Sequence, residues 1–128
     1  MLSTLSNLKI IDNSGGREGH CIKILKSHRW ASVGDTIVIS LRRITKLPKR
    51  KTFKARKVAL GKIYRVFVLQ TKKEIARFDG STVRFQNNAG VLLNRQGQPI
   101  GTRIKGSLPN ELRNSDCLKT MSLGPNLI

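Results

Sequence analysis

Few residues in this 128-residue chain have the chemistry of catalysis or metal binding. Its two histidines, His20 and His28, lie eight positions apart. Cys21 adjoins the first, and Cys117 is far along the chain. A zinc centre needs a tighter His/Cys cluster, so no metal is expected. The seven acids are scattered, and no two can be argued onto one face as an acid–base couple. Ser14, in the run NSGG, has the context of a turn serine, and no base can be assigned to it. No Gly-rich phosphate loop is followed by a lysine. The expectation is therefore no catalytic residue, no cofactor and no enzyme.

What the chain has in abundance is cationic chemistry. Arg42 to Lys57 reads RRITKLPKRKTFKARK, nine basic residues in sixteen with no acid. From Thr36 to Lys73 there are thirteen basic residues and still no acid. Over the whole chain 25 basic residues face seven acids, a formal charge of +18. A surface made only for solubility mixes signs; this excess points to a polyanion, either nucleic acid or an anionic membrane. Arginine can grip a phosphate through two N–H groups, and lysine acts as a point charge. Aromatic residues are only 5% of the chain, too few for a single-strand binder that stacks successive bases. Folded RNA, read by shape and backbone, suits this composition. Phe53, inside the basic stretch, either packs the loop back on the body of the protein or stacks on a base. Trp30 precedes the stretch.

No apolar run approaches the roughly 20 residues that cross a bilayer, and no membrane partner is expected. MLSTLSNLKI has neither the charged n-region of a secretory signal nor the arginines of a mitochondrial presequence. Two cysteines so far apart read as free thiols in a reducing compartment.

The elements that must carry these charges are mostly strands. Ser6 to Asp12 alternates loosely, NSGG is a turn, and Cys21 to Leu25 forms a second apolar run. Thr36 to Leu41 is rich in β-branched residues and is expected to end where the basic stretch starts. Val58 to Leu69 is a longer β-rich run with a bulge or bend at Gly61. Asp79-Gly80 signals a hairpin turn, followed by STVRF, and Ala89 to Leu93 is another strand. Gly80 and Gly97 are expected at positive φ. Val38, Val68, Val83, Phe85, Val91 and Leu93 are expected to point into one core. Gly101 to Gly106 is a short strand or a loop. Pro109 suits a helix start, and Asp116 is placed to cap a second short helix ending near Gly124-Pro125. The reading is mostly β: a five-stranded barrel with a basic loop or hairpin extension and a small C-terminal helical region. One domain spans 1–128, with the barrel over about 1–106 and the helical region over about 107–128.

Several motifs, taken in order, carry a resemblance. DNSGG at Asp12 to Gly16, CIKIL at Cys21 to Leu25 and VGDTIVIS at Val33 to Ser40 open it. QTKKEIARFDGSTVRFQNNAGVLLNRQGQPIGTRIKG, Gln70 to Gly106, continues it, and ELR at Glu111 to Arg113 with SLGP at Ser122 to Pro125 closes it. Together they resemble the ribosomal large-subunit protein 14 family over nearly the whole chain. The resemblance implies a structural constituent of the large ribosomal subunit, with no catalysis. It implies contact with large-subunit ribosomal RNA at the subunit interface, an intersubunit bridge to small-subunit ribosomal RNA, and large-subunit proteins 3 and 19 as neighbours. In bacterial-type members a ribosomal silencing factor also docks on the C-terminal region. The residues assigned to RNA are Arg42, Arg43, Lys46, Lys49, Arg50, Lys51, Lys54, Arg56, Lys57, Lys72, Lys73 and Arg77. Thr102, Arg103, Arg113 and Lys119 are assigned to partner or bridge contacts. A free-standing RNA-binding regulator or RNA chaperone on the same barrel is the alternative.

The sequence also departs from the family. Val66-Phe67-Val68-Leu69 replaces a small residue followed by three aliphatics. Gly90 stands where alanine is usual, Cys117 where a larger apolar residue is expected, and SLGPN replaces SLAPE. The basic stretch is longer and more basic than bacterial members need. Such divergence resembles a mitochondrial ribosome, in the matrix, with bacterial cytoplasm or plastid as alternatives. Because the family pattern starts so near Met1, the expectation is an organelle-encoded or already processed chain.

Overall fold

A computed structural model of the chain describes residues 1–26, 29–45, 58–115 and 117–128. Nine strands occur among them: β1 (Asn7–Ile10), β2 (Gly16–Ile24), β3 (Thr36–Ile44), β4 (Ile63–Gln70), β5 (Ile75–Ala76), β6 (Thr82–Val83), β7 (Ala89–Leu93), β8 (Ser107–Leu108) and β9 (Asn126–Leu127). Five of them close a barrel in the order β1-β2-β3-β4-β7. All neighbours are antiparallel except the closing pair: β7 runs parallel to β1 through Lys9↔Ala89 and Ile10↔Gly90. Closure leaves no unpaired sheet edge among these five. The mostly-β, five-stranded reading of the sequence is thus what the chain adopts.

Side chains fill the barrel by alternation. Ile37, Ile39 and Leu41 of β3 point inward with Leu8, Cys21, Val66, Val68 and Leu92. The interior is narrow enough that a Cβ at position 19 would lie 2.1 Å from Ile39 Cδ1, so Gly19 makes room for a large side chain of the adjacent strand, diagonal to it in the β2–β3 register. Val38, expected in this core, is only half-buried. TIVISL is apolar at consecutive positions, so composition leaves its phase open, and its neighbours take the inward side.

The expected single core is two. Phe67, Leu69, Val91 and Leu93 form a second cluster with Ile104, Leu108 and Leu112. Phe67 belongs to this layer, outside the barrel. All five residues of β7 are buried, because the C-terminal segment covers the outer wall of β4 and β7. A strand buried on both faces reads as a continuous apolar run, and alternation then says nothing about which face is inner. Val68 is inside the barrel, Val91 and Leu93 outside it, Val83 is buried at the β5–β6 hairpin and Phe85 is half-buried.

The covering segment is tied down at its end: β8 pairs parallel with β9 through Ser107↔Asn126 and Leu108↔Leu127. Between them lie a 3-10 helix, Asn110–Asn114, started by Pro109 as expected, and α1 (Leu118–Ser122). Cys117 occupies the N-cap position of α1; Asp116, expected there, lies outside the described residues. Gly80 and Gly97 have φ of +86° and +82°, as their turns require.

Candidate nucleic-acid interface

The basic stretch begins inside a strand. β3 continues past Leu41 through Arg42, Arg43 and Ile44, further than the sequence suggested, because Gly16↔Ile44 and Glu18↔Arg43 pairing with β2 continues. Arg42 and Arg43 are exposed. Arg43 Nε lies 3.4 Å from Glu18 Oε2, with its side chain still 72% exposed, so water screens that pair. The chain is held on both sides of the remaining stretch. Thr45 N–H donates to Gly15 O (2.8 Å), and Val58 is buried in the barrel cluster. Lys46, Lys49, Arg50, Lys51, Lys54, Arg56 and Lys57, with Phe53, lie outside the described residues.

Three further cations stand at this end of the barrel that the sequence reading did not assign. Lys62, Arg65 and Arg95 line an open groove of about 740 Å³, floored in part by Val38, Ile63, Tyr64, Leu93 and Ile100, with no acid in its lining. The strand register explains the convergence: Arg65 is opposite Val38 on one side and Leu93 on the other. A lone arginine in an otherwise apolar run was the available signal. In β4 it marks the outward face left uncovered by the C-terminal segment.

Lys72 and Lys73 follow the other end of β4. Eight residues of strand at about 3.3 Å each put them roughly 25 Å from the Arg42 end. Both are exposed on a tightly fixed turn. The buried Thr71 hydroxyl donates to Lys73 O (3.2 Å), and Lys72 N–H donates to Asn88 Oδ1 (2.9 Å). The TKK and NNA motifs thus fit each other. Arg77 is engaged within the chain: Nε donates to Glu111 Oε1 at 2.5 Å and Nη2 to Ile128 O at 2.5 Å. The assigned cations therefore form separate groups, and Arg77 is a clasp between the β5–β6 hairpin and the C-terminal segment.

The partner set is likewise positioned by motif. Asn13 Oδ1 accepts from Thr102 N (2.7 Å) and Arg103 N (3.2 Å), and Asn13 Nδ2 donates to Thr102 Oγ1 (2.7 Å). Asp12, 7% exposed, accepts from Ser14 N (3.0 Å), the Ser14 hydroxyl and, 80 residues away, Leu92 N (3.1 Å). Ser14 is a turn serine, as its sequence context implied. DNS and GTR are thus two halves of one structural joint that leaves Thr102 and Arg103 exposed. Arg113 and Lys119 are exposed on the 3-10 helix and α1.

Every described acid is occupied. Glu18, Asp35, Glu74 and Glu111 pair with Arg43, Lys26, Arg84 and Arg77; Asp79 accepts from Ser81; Asp12 holds backbone. Burial works to raise the Asp35 pKa, but the Ser32 amide, Lys26 and the Ser32 hydroxyl overcome it and hold the carboxyl below its usual value. Hydrogen bonding from Arg77 holds Glu111 low, against a smaller opposing effect of burial. The positive excess is thus left on the surface. Among the described residues no His, Cys, Asp and Glu gather as a metal site, and no buried side-chain polar atom lacks a partner.

A closed small barrel, acids consumed internally, and cations exposed at both ends suit a protein that lies against a polyanion. The family described as Ribosomal protein L14p/L23e matches residues 1–128. The chain belongs to that family of large-subunit ribosomal proteins, which are structural and not enzymes.

Proposed function

We infer that the chain binds large-subunit ribosomal RNA through the basic end of its barrel and lies at the subunit interface, where it contributes to a bridge with small-subunit ribosomal RNA. One observation carries this reading. Arg42, Arg43, Lys62, Arg65 and Arg95 are at one end of the barrel, beside a stretch that adds seven more basic residues and no acid. Phosphate neutralisation releases counterions, so affinity falls with salt in proportion to the contacts made. Changing Lys49, Arg50, Lys51 and Lys54 to Gln should flatten the log–log salt slope on a large-subunit RNA fragment by roughly 3 units if all four touch phosphate. Circular dichroism checks the fold. An unchanged slope would move the RNA surface elsewhere on the barrel.

The divergent basic stretch, Gly90 and the altered C-terminal motif support a mitochondrial ribosome as the home of this chain. Large-subunit proteins 3 and 19 are its proposed neighbours. Thr102, Arg103, Arg113 and Lys119 are the proposed contacts to a silencing factor or bridge. Sedimentation of large subunits after fractionation and a high-salt wash tests both points. The chain should stay on mitochondrial subunits. Recovery on cytoplasmic ribosomes would refute the compartment, and loss in the wash would favour a free-standing regulator.

A further inference from the structure

Phe78, at the tip of the β5–β6 hairpin, is 114% exposed relative to the reference residue. A phenylalanine with both ring faces in water forgoes burial free energy, and an aromatic presented on a fixed backbone has the makings of a contact anchor. This one is fixed. Arg77 N–H donates to Ser81 O (2.9 Å), Gly80 N–H to Arg77 O (3.1 Å), and Ser81 closes the turn on Asp79 Oδ1 (3.0 Å from N). Behind the ring, Arg77 is clasped by Glu111 and by the Ile128 carbonyl. The tip therefore loses little freedom on binding, which is what an anchor requires. Beside the ring an open hollow of about 510 Å³ lies between Asp79, Asn110, Arg113 and Asn114.

The surrounding charge selects the partner. The chain as a whole carries 25 basic residues and seven acids. Two of those acids, Asp79 and Glu111, line the hollow beside the hairpin tip, matched there by Arg77 and Arg113. A phosphate backbone gains nothing from a neutral patch and is repelled by Asp79. A protein with an apolar pocket and a polar rim fits it, since aromatic anchors inside a polar rim carry most of the energy of such contacts. The geometry points to Phe78 as the anchor of a protein–protein contact on a charge-balanced face separate from the RNA-facing end of the barrel.

The test puts a benzoylphenylalanine photo-crosslinker at position 78 of the full chain in assembled large subunits, with the same reporter at Ile63 as a comparison. Irradiation is expected to give one dominant protein adduct from position 78, mapping to an apolar stretch of a neighbouring protein. The Ile63 arm reads the RNA proposal separately. An RNA adduct at 78, or no protein adduct, overturns the inference. In a second arm, the free chain with Phe78→Ala is titrated with a large-subunit RNA fragment. Affinity should change less than twofold. A loss of about fivefold or more, the smallest expected for an unstacked base, would make Phe78 an RNA contact and refute a protein anchor.

Discussion

Gly90→Ala should destabilise this protein even though alanine is the usual residue at that place in the family pattern. A Cβ at position 90 would lie 2.6 Å from Phe67 O, 2.6 Å from Val66 Cγ1 and 3.4 Å from Leu8 Cδ1. The first contact is with backbone in the β4–β7 ladder, where Val68 faces Gly90 and Val66 faces Leu92. Retreat would loosen that ladder. Overpacking of this kind costs about 1–3 kcal/mol. The loss of glycine's freedom in the unfolded chain returns about 0.5–1 kcal/mol. The net cost is centred on about 1 kcal/mol, which for a domain of this size lowers Tm by roughly 4–5 °C. The side-chain part of the clash has a specific origin: Val66 stands where the family pattern has a small residue. The two departures touch, one larger and one smaller, and offset each other. Val66→Ala combined with Gly90→Ala should therefore cost less than the sum of the single changes, with a coupling of about 1 kcal/mol. Thermal unfolding by circular dichroism of the four proteins measures it. A Gly90→Ala variant as stable as the parent, or strict additivity, would refute the reasoning.

Other outcomes follow from the same contacts. Asp12→Ala leaves the Leu92 amide without its acceptor inside the barrel wall and should cost about 1–3 kcal/mol in denaturant unfolding. Because the folded pKa of Asp35 is depressed, its contribution to stability is present above its unfolded pKa, about 4, and lost as pH falls through the lower folded value. Asp35→Asn should therefore reduce the acid-induced loss of stability below about pH 4, measured as Tm against pH. Burial raises the Cys21 pKa, against a smaller effect of the Lys23 amide, and Cys117 is partly exposed. A thiol reagent should label Cys117 in the native protein and Cys21 only after unfolding.

Much of the fold was legible in the sequence because local rules and tertiary structure agree in it. Ala89 to Leu93 is a strand with the bounds expected from its apolar run, and the turn glycines at 80 and 97 have the φ their dipeptides imply. What failed was facing. Val38 has apolar neighbours on both sides, and Val91 and Leu93 lie in a strand covered on both faces, so period two carries no information about inside and outside. The β8–β9 pairing escaped because its two-residue strands are 17 residues apart and join only after the helices between them have turned the chain back. For the candidate interface, the dense run of charge was obvious. Lys62, Arg65 and Arg95 were not, since isolated cations become a group only through the β3–β4–β7 register. Arg77 looked like one more cation until Glu111, 34 residues away, was found against it.

The parallel pairing of β1 with β7 has a consequence for synthesis. β1 ends at Ile10 and its closing partner starts at Ala89. A chain elongating at about 5–20 residues per second leaves that edge of β1 unpaired for roughly 4–16 s. The cover over β7 comes later still, since Leu108 and Leu112 must emerge before its outer face is dry. The nascent chain thus presents first an open strand edge and then an uncovered apolar wall, each prone to pairing with another chain. A strongly cationic protein resists such self-association by repulsion. The same positive charge therefore also protects the chain while its barrel waits to close.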